Sequence, residues 1–204
     1  MIELHTAATG NGRRPAVMLE ECGLPYKLHK IDLAKGEQKQ PAFLALNPLG
    51  AIPVMVDTDD PSGQRIALSQ SAAMLLYLAD KTGKFLPKDP VRRAVAQQWL
   101  LHVMSDQQST STALFIVASL PDKPASAVAK FEGRLLDFFR FADRRLGEAQ
   151  YLADELSIAD FALYPIAMAR REMIDKASGM DNFKRWMAAL GARPAVTRGM
   201  QAPG

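Results

Sequence analysis

The run Gly50-Ala51-Ile52-Pro53-Val54-Met55-Val56 decides how the chain folds, together with Leu68-Ser69-Gln70-Ser71-Ala72-Ala73-Met74-Leu75-Leu76-Tyr77-Leu78. The first part reads as a loop entering a short strand. Pro53 sits at the strand entrance, where no ladder N–H is required. An Ile52-Pro53 bond is far cheaper in the cis form than any non-proline bond. A cis bond there is expected to turn the N–H and C=O of Ile52 outward. The second part reads as a helix from Gln70 to Lys81 with Ser69 as its N-cap. Unpaired N–H groups at a helix start suit an anion. Two backbone hydrogen bonds beside Gln70-Ser71 therefore suit a small extended peptide with a free carboxylate.

Working outward, Ile2 to Thr6 is a strand candidate and Ala8-Thr9-Gly10-Asn11-Gly12 a turn of small residues. A helix follows from about Arg13 to Cys22, with Pro15 in its first turn and Gly23 and Pro25 ending it. Tyr26 to Leu33 alternates as a strand. Lys35 to Gln40 is polar loop, and Pro41 to Leu46 a short helix ended by Asn47-Pro48. Ile52–Val56 and Arg65–Leu68 are strands joined by a turn containing Pro61-Ser62-Gly63, which predicts a hairpin. The order β-α-β-α-β-β-α is a thioredoxin-like α/β arrangement. Residues 1–81 form this domain, 82–90 a linker rich in Gly and Pro, and 91–204 an all-helical domain. In that second half the predicted helices run from Val91 to about Leu120, Ser126 to Leu146, Phe161 to about Asp175 and Asn182 to Leu190. Residues 191–204 read as a tail. Leu156-Ser157-Ile158-Ala159-Asp160-Phe161 reads as a capping box, with Asp160 reaching back to Ser157.

The 204 residues are 48% hydrophobic and 23% charged, which is ordinary for a globular protein. A net charge of +3 demands neither a nucleic acid nor a membrane surface, and neither is expected as a partner. Cys22 is the single cysteine, so no intramolecular disulfide forms. No signal peptide or membrane span is visible, and a cytoplasmic protein is expected. Arg13-Arg14, Arg144-Arg145 and Arg170-Arg171 read as solvated faces or dimer salt bridges.

Several motifs occur in one order: "TGNG" (9–12), "KGEQ" (35–38), "NPLGAIP" (47–53), "QSAAMLLYL" (70–78), "QWL" (98–100) and "LSIADFALYP" (156–165). Together they resemble the glutathione transferase family, and within it most the bacterial Nu-type enzymes, whose Thr-x-Asn turn replaces the catalytic Tyr, Ser or Cys of other classes. The resemblance implies a glutathione-dependent enzyme and a homodimer. It implies that the thiolate of glutathione, the co-substrate, attacks a small electrophile, a peroxide or a disulfide. A non-catalytic binding or regulatory protein on the same fold is the alternative.

The resemblance places Thr9 and Asn11 beside the glutathione sulfur as the catalytic pair. A hydroxyl donor, an amide donor and a helix N-terminus all favour a thiolate over a thiol. Without the resemblance this is an ordinary Asn-Gly turn. Gln70 and Ser71 are implied to hold the γ-glutamyl carboxylate, Ile52 and Pro53 the cysteinyl backbone, and Gln38 the glycyl end. Gln70 stands where Glu is commoner, and Gln40 where an Arg is often found; Lys39 is a substitute for that Arg. His102, Ser105 and Gln108 are candidates for a second-substrate pocket. Cys22, at the far end of its helix, is expected to be a buried, inert thiol. Without a CxxC pair a dithiol mechanism fails. His5, His29 and His102 show no metal-ligand spacing, and no metal is expected.

Overall fold

The structure is a computed structural model and describes residues 1–58 and 63–204. The expected hairpin turn at Pro61-Ser62 lies outside the described residues. Two compact units form: residues 1–86 with 191–204, and residues 87–190.

The first unit holds β1 (Ile2–Thr6), α1 (Gly10–Cys22), β2 (Tyr26–Lys30), a 3₁₀ turn (Glu37–Lys39), α2 (Pro41–Leu44), β3 (Val54–Asp57), β4 (Ile66–Leu68) and α3 (Ser71–Thr82). This is the thioredoxin-like order expected from the sequence. The sheet runs β2-β1-β3-β4, with β1 and β2 parallel and the other pairs antiparallel. Along β1, Ile2, Leu4 and Thr6 are buried while Glu3 and His5 are half-buried. Paired residues on neighbouring strands share a face. Opposite His5 and Glu3 stand Val54 and Val56, so these four share a face. Val54 and Val56 pack there with Phe43 of α2 and with Ile31, Leu46 and Ile52.

Several boundaries differ from the sequence reading, and the helix expected from Phe161 to about Asp175 is two helices, Ile158–Ala169 and Arg171–Lys176. Helix α1 begins at Gly10, because Thr9 caps it by accepting from the Gly12 N–H. Strand β2 ends at Lys30. Helix α3 begins at Ser71 after Gln70, with no side-chain cap; Ser69 does not cap it.

The tail expected at 191–204 is a helix, α10 (Pro194–Gln201), packed on α1 in the first unit. Arg193 grips Glu21 through two 2.7 Å hydrogen bonds, and Arg198 reaches Glu20 at 2.7 Å. Arg13 donates to the Met200 carbonyl. A Cβ at Gly199 would collide with the backbone of Val17. Such contacts span most of the chain, and local periodicity carries no sign of them.

The second unit holds α4 (Pro90–Leu101), a π-helical segment (His102–Gln108), α5 (Ser109–Ala118), α6 (Ala125–Glu148), α7 (Ile158–Ala169), α8 (Arg171–Lys176) and α9 (Asp181–Gly191). The single helix expected over 91–120 is thus interrupted by seven residues of wider winding. Here Ser105 donates to the Leu101 carbonyl and Ser109 to that of Met104. Hydroxyls bonding back to the helix in this way compete with its ladder. Helix α7 is buried from Ile158 to Ala167 and forms the centre of the unit. Its capping box forms as expected. Asp160 is fully buried and does more than cap. It accepts from the N–H groups of Ser157 and Leu152, the Ser157 hydroxyl and the indole N–H of Trp186. Burial pushes its carboxyl up to about 6, against the pull of those donors. Among the described residues no helix is long and apolar enough to cross a membrane.

Two stability outcomes are expected. Gly199→Ala forces α10 off α1, and overpacking of this kind costs roughly 1–3 kcal/mol in denaturant unfolding. A cost near zero would show that the two helices are not in backbone contact. Asp160→Asn turns an amide NH₂ toward buried donors. Adding a lost cap to an unsatisfied donor gives roughly 2–4 kcal/mol. An unchanged unfolding midpoint would contradict the network.

Candidate functional site

The site is assembled where three loops meet at one end of the sheet. His5 pairs with Val54, so the residues beyond each, Thr6 and Pro53, stand side by side where β1 ends and β3 begins. Leu68 pairs with Met55 in the next strand. Continuing that register brings Gln70 alongside Pro53. The turn carrying Thr9 and Asn11, the Ile52-Pro53 loop and the start of α3 thus converge. The Ile52-Pro53 bond is cis, as expected.

Thr9 is held by two roles at once. Its N–H donates to the Ala7 carbonyl at 2.7 Å, and its Oγ1 accepts from the Gly12 N–H at 3.0 Å. A hydroxyl has one donor and two acceptor sites, so this cap leaves the O–H proton to donate elsewhere. Gly12 has no alternative here. A Cβ there would strike the Ala7 carbonyl and the Thr6 hydroxyl.

Arg14 is the residue the sequence reading missed. The sequence pairs it with Arg13 as a solvated face or dimer salt bridge, yet it is 0% exposed. Its Nη1 donates to Asn11 Oδ1 at 2.5 Å and to Ser71 Oγ at 3.3 Å. A guanidinium has donors only, so the atom of Asn11 facing it must be the oxygen. That fixes the amide orientation and turns Nδ2, a donor, away from Arg14. Nδ2 has no partner among the described residues. Ser71 Oγ accepts from Arg14 and so keeps its own proton to donate. Burial lowers the Arg14 pKa to about 9, which leaves it mostly charged at neutral pH. One buried cation therefore orients a donor on Asn11 and another on Ser71. Arg14 is the fifth residue of α1, and nothing in the sequence distinguishes it from its neighbour Arg13. The other doublets are also engaged: Arg145 with Leu152 and Asp154, Arg170 with Ser111.

The loop before Pro53 is pinned by Asn47, which donates to the Ala51 carbonyl at 2.7 Å and accepts from the Leu49 N–H. Gly50 has φ 63° and is in close contact with the 3₁₀ turn. A Cβ there would lie 2.9 Å from the Gln38 carbonyl. This contact sets Gln38 beside the Ile52 loop. Gln38 Oε1 is buried with no hydrogen-bond partner among the described residues. An orphaned acceptor costs about 1–3 kcal/mol unless a donor reaches it. A peptide N–H fits that need better than a carboxylate does. Lys39 is exposed and donates to the Leu49 carbonyl at 3.1 Å. At α3 the absence of a side-chain cap leaves the first-turn N–H groups beside Ser71 to serve an anion.

In the second unit, His102 and Ser105 line a surface pocket of about 440 Å³ with Leu101 and Asp106. The His102 ring packs on Trp99 and Phe141 and its Nδ1 lies 3.0 Å from Asp106. Gln108 is outside that lining and donates to Thr112. Cys22 is 6% exposed at the end of α1, and burial pushes its thiol up. It is poorly placed and poorly ionised for attack.

The thioredoxin-like half, residues 11–81, matches the family model described as the glutathione S-transferase N-terminal domain. The chain is 35% identical over 205 residues to the disulfide-bond oxidoreductase YfcG of Escherichia coli strain K12, covering 96% of this chain and 93% of that protein. It is 31% identical over 218 residues to the disulfide-bond oxidoreductase YghU of the same strain, covering 97% and 73%. A Pseudomonas putida glutathione transferase, solved with one glutathione disulfide per subunit, matches with TM-score 0.90 and 30% identity, covering 100% of this chain and 92% of that one. One from Burkholderia graminis, solved with two glutathione molecules per subunit, matches with TM-score 0.91 and 32% identity, covering 99% and 88%. With 35% identity to a relative over 96% of its length, the chain belongs to the glutathione S-transferase family.

Proposed function

We propose that this protein is a glutathione-dependent enzyme whose main reaction is the reduction of disulfides. The observation that carries the reading is the Asn11–Arg14–Ser71 linkage, in which one buried nitrogen holds both side chains by their oxygens and leaves each a donor to offer. The likeness to two disulfide-bond oxidoreductases supports the choice of reaction over conjugation. The chemistry is thiol–disulfide exchange: one glutathione thiolate attacks the substrate disulfide, forming a mixed disulfide and expelling one substrate thiolate. A second glutathione thiolate attacks the glutathione sulfur of that mixed disulfide, expelling the other substrate thiolate and forming glutathione disulfide.

The protein's residues supply orientation and charge stabilisation. Asn11 Nδ2 and the Thr9 hydroxyl donate to the sulfur anion at the N-terminus of α1, where the helix dipole also favours it. None of these groups is a base, so the thiol proton leaves to water. The Ser71 hydroxyl and the uncapped N–H groups of α3 take the γ-glutamyl carboxylate, with Gln70 beside them. Ile52 pairs its backbone with the cysteinyl residue next to Pro53. Gln38 Oε1 accepts the glycyl N–H. The pocket lined by His102 and Ser105 is the candidate for the second substrate, and Gln108 is not part of it. We also propose a homodimer in a reducing cytoplasm, where a lone buried Cys22 stays a thiol.

The test combines binding to immobilised glutathione with turnover of a small symmetrical disulfide, coupled to an enzyme that consumes glutathione disulfide. A hydrogen bond to a charged group is worth about 1.5–3 kcal/mol. Asn11→Ala is therefore expected to lower kcat/KM about ten- to a hundredfold at neutral pH, with retention on glutathione little changed. Cys22→Ala should stay within a few-fold of wild type. Retention without turnover would make the protein a binding module. A collapse of the Cys22→Ala rate would mean that the reactive sulfur is the protein's own.

A further inference from the structure

The sheet face shared with α2 carries a group that the glutathione site does not use. Glu3 and His5 stand two residues apart on β1, so they point to one face. His29 of β2 pairs directly with His5 in the parallel ladder and shares that face. The two imidazoles stack at 4.3 Å between centroids with planes 7° apart. Glu3 Oε2 lies 2.9 Å from His29 Nε2 and 3.9 Å from His5 Nε2. One ligand atom from each of the three lies within 4.8 Å of the others. We propose that Glu3, His5 and His29 bind one divalent transition-metal ion of the zinc class on the sheet, apart from the turn at Thr9 and Asn11.

The chemistry of the set fits. Two imidazoles and a carboxylate with an open fourth position form a recurrent zinc environment. Bonds of 2.0–2.1 Å put neighbouring tetrahedral ligands about 3.3 Å apart. The two oxygen–nitrogen distances, 2.9 and 3.9 Å, fall on either side of that value. Stacked rings aim their lone pairs in parallel, so binding one ion requires them to turn about their side-chain torsions until both lone pairs converge. Their side chains are 16% and 29% exposed, and Glu3 is 34% exposed, so an ion has access. Burial, and then the neighbouring His29, hold the His5 imidazole below its ordinary pKa, so it keeps a lone pair at neutral pH. In the metal-free protein a proton sits between His29 Nε2 and Glu3. The ion takes that proton's place, and the proton moves to Nδ1 or to water. Lys27, opposite Glu3 on the same face, opposes the ion's charge and tempers affinity. Sequence spacing hides the site because the histidines meet only through strand pairing.

The test uses the full chain, free of any histidine tag and stripped with chelator. It is titrated with zinc chloride by calorimetry and with cobalt(II) by absorbance. Wild type should bind one ion per chain and show the strong visible bands of tetrahedral cobalt. His29→Ala and Glu3→Gln should each weaken binding about tenfold or more, since even outer-shell losses cost that much. His102→Ala should bind as wild type does, and circular dichroism checks that every variant is folded. Failure of wild type to bind at sub-millimolar zinc would overturn the proposal. Equal binding by His29→Ala, Glu3→Gln and wild type would overturn it too. Neither result bears on glutathione turnover.

Discussion

A charge buried between two loops organises the first unit. Arg14 leaves water completely, which is costly for any guanidinium. Its bonds to Asn11 and Ser71 tie the opening of α1 to the opening of α3. Both bonds come from one buried nitrogen, so the two loops are held in register. The same bonds decide which atoms of Asn11 and Ser71 remain to serve a ligand. Fold stability and site polarity thus depend on one side chain.

Around that cation, the site is prepared by what is absent. Gln70 does not cap α3, and Gln38 Oε1 is buried without a donor. Each is a small local cost in the ligand-free protein. A peptide with a carboxylate at one end and an N–H near the other satisfies both. Thr9 and Gly12 add a rigid corner, with the helix packed so tightly on Ala7 that only glycine fits. Preorganised donors of this kind need no rearrangement when charge develops on sulfur.

Much of the fold was legible because its signals are local. Asn47-Pro48 and Gly50 announce a tight loop, Pro53 a strand entrance, and Ser157 with Asp160 a helix start. What was hidden depends on contacts between distant residues. Arg14 looks like its neighbour Arg13 until packing buries it. Trp186 completes the Asp160 network from another helix. The α10 segment reads as a tail until Arg193 and Arg198 find Glu21 and Glu20. The π-helical turn at His102–Gln108 is invisible to a search for helical period, since its only apolar residues are the adjacent Val103 and Met104. Of the candidate site, the turn and the loop were readable, and the cation joining them was not.

In the proposed reaction, Asn11 and Thr9 stabilise the sulfur anion of bound glutathione. The most direct measurement is a thiolate absorbance titration of the glutathione complex for wild type, Thr9→Ala and Asn11→Ala. A free thiol titrates near about 8.5. The bound thiol of wild type should titrate below that, and each substitution should raise it by about one to two units. Identical titrations in all three proteins would show that this turn only begins a helix, and that the thiolate finds its donors elsewhere.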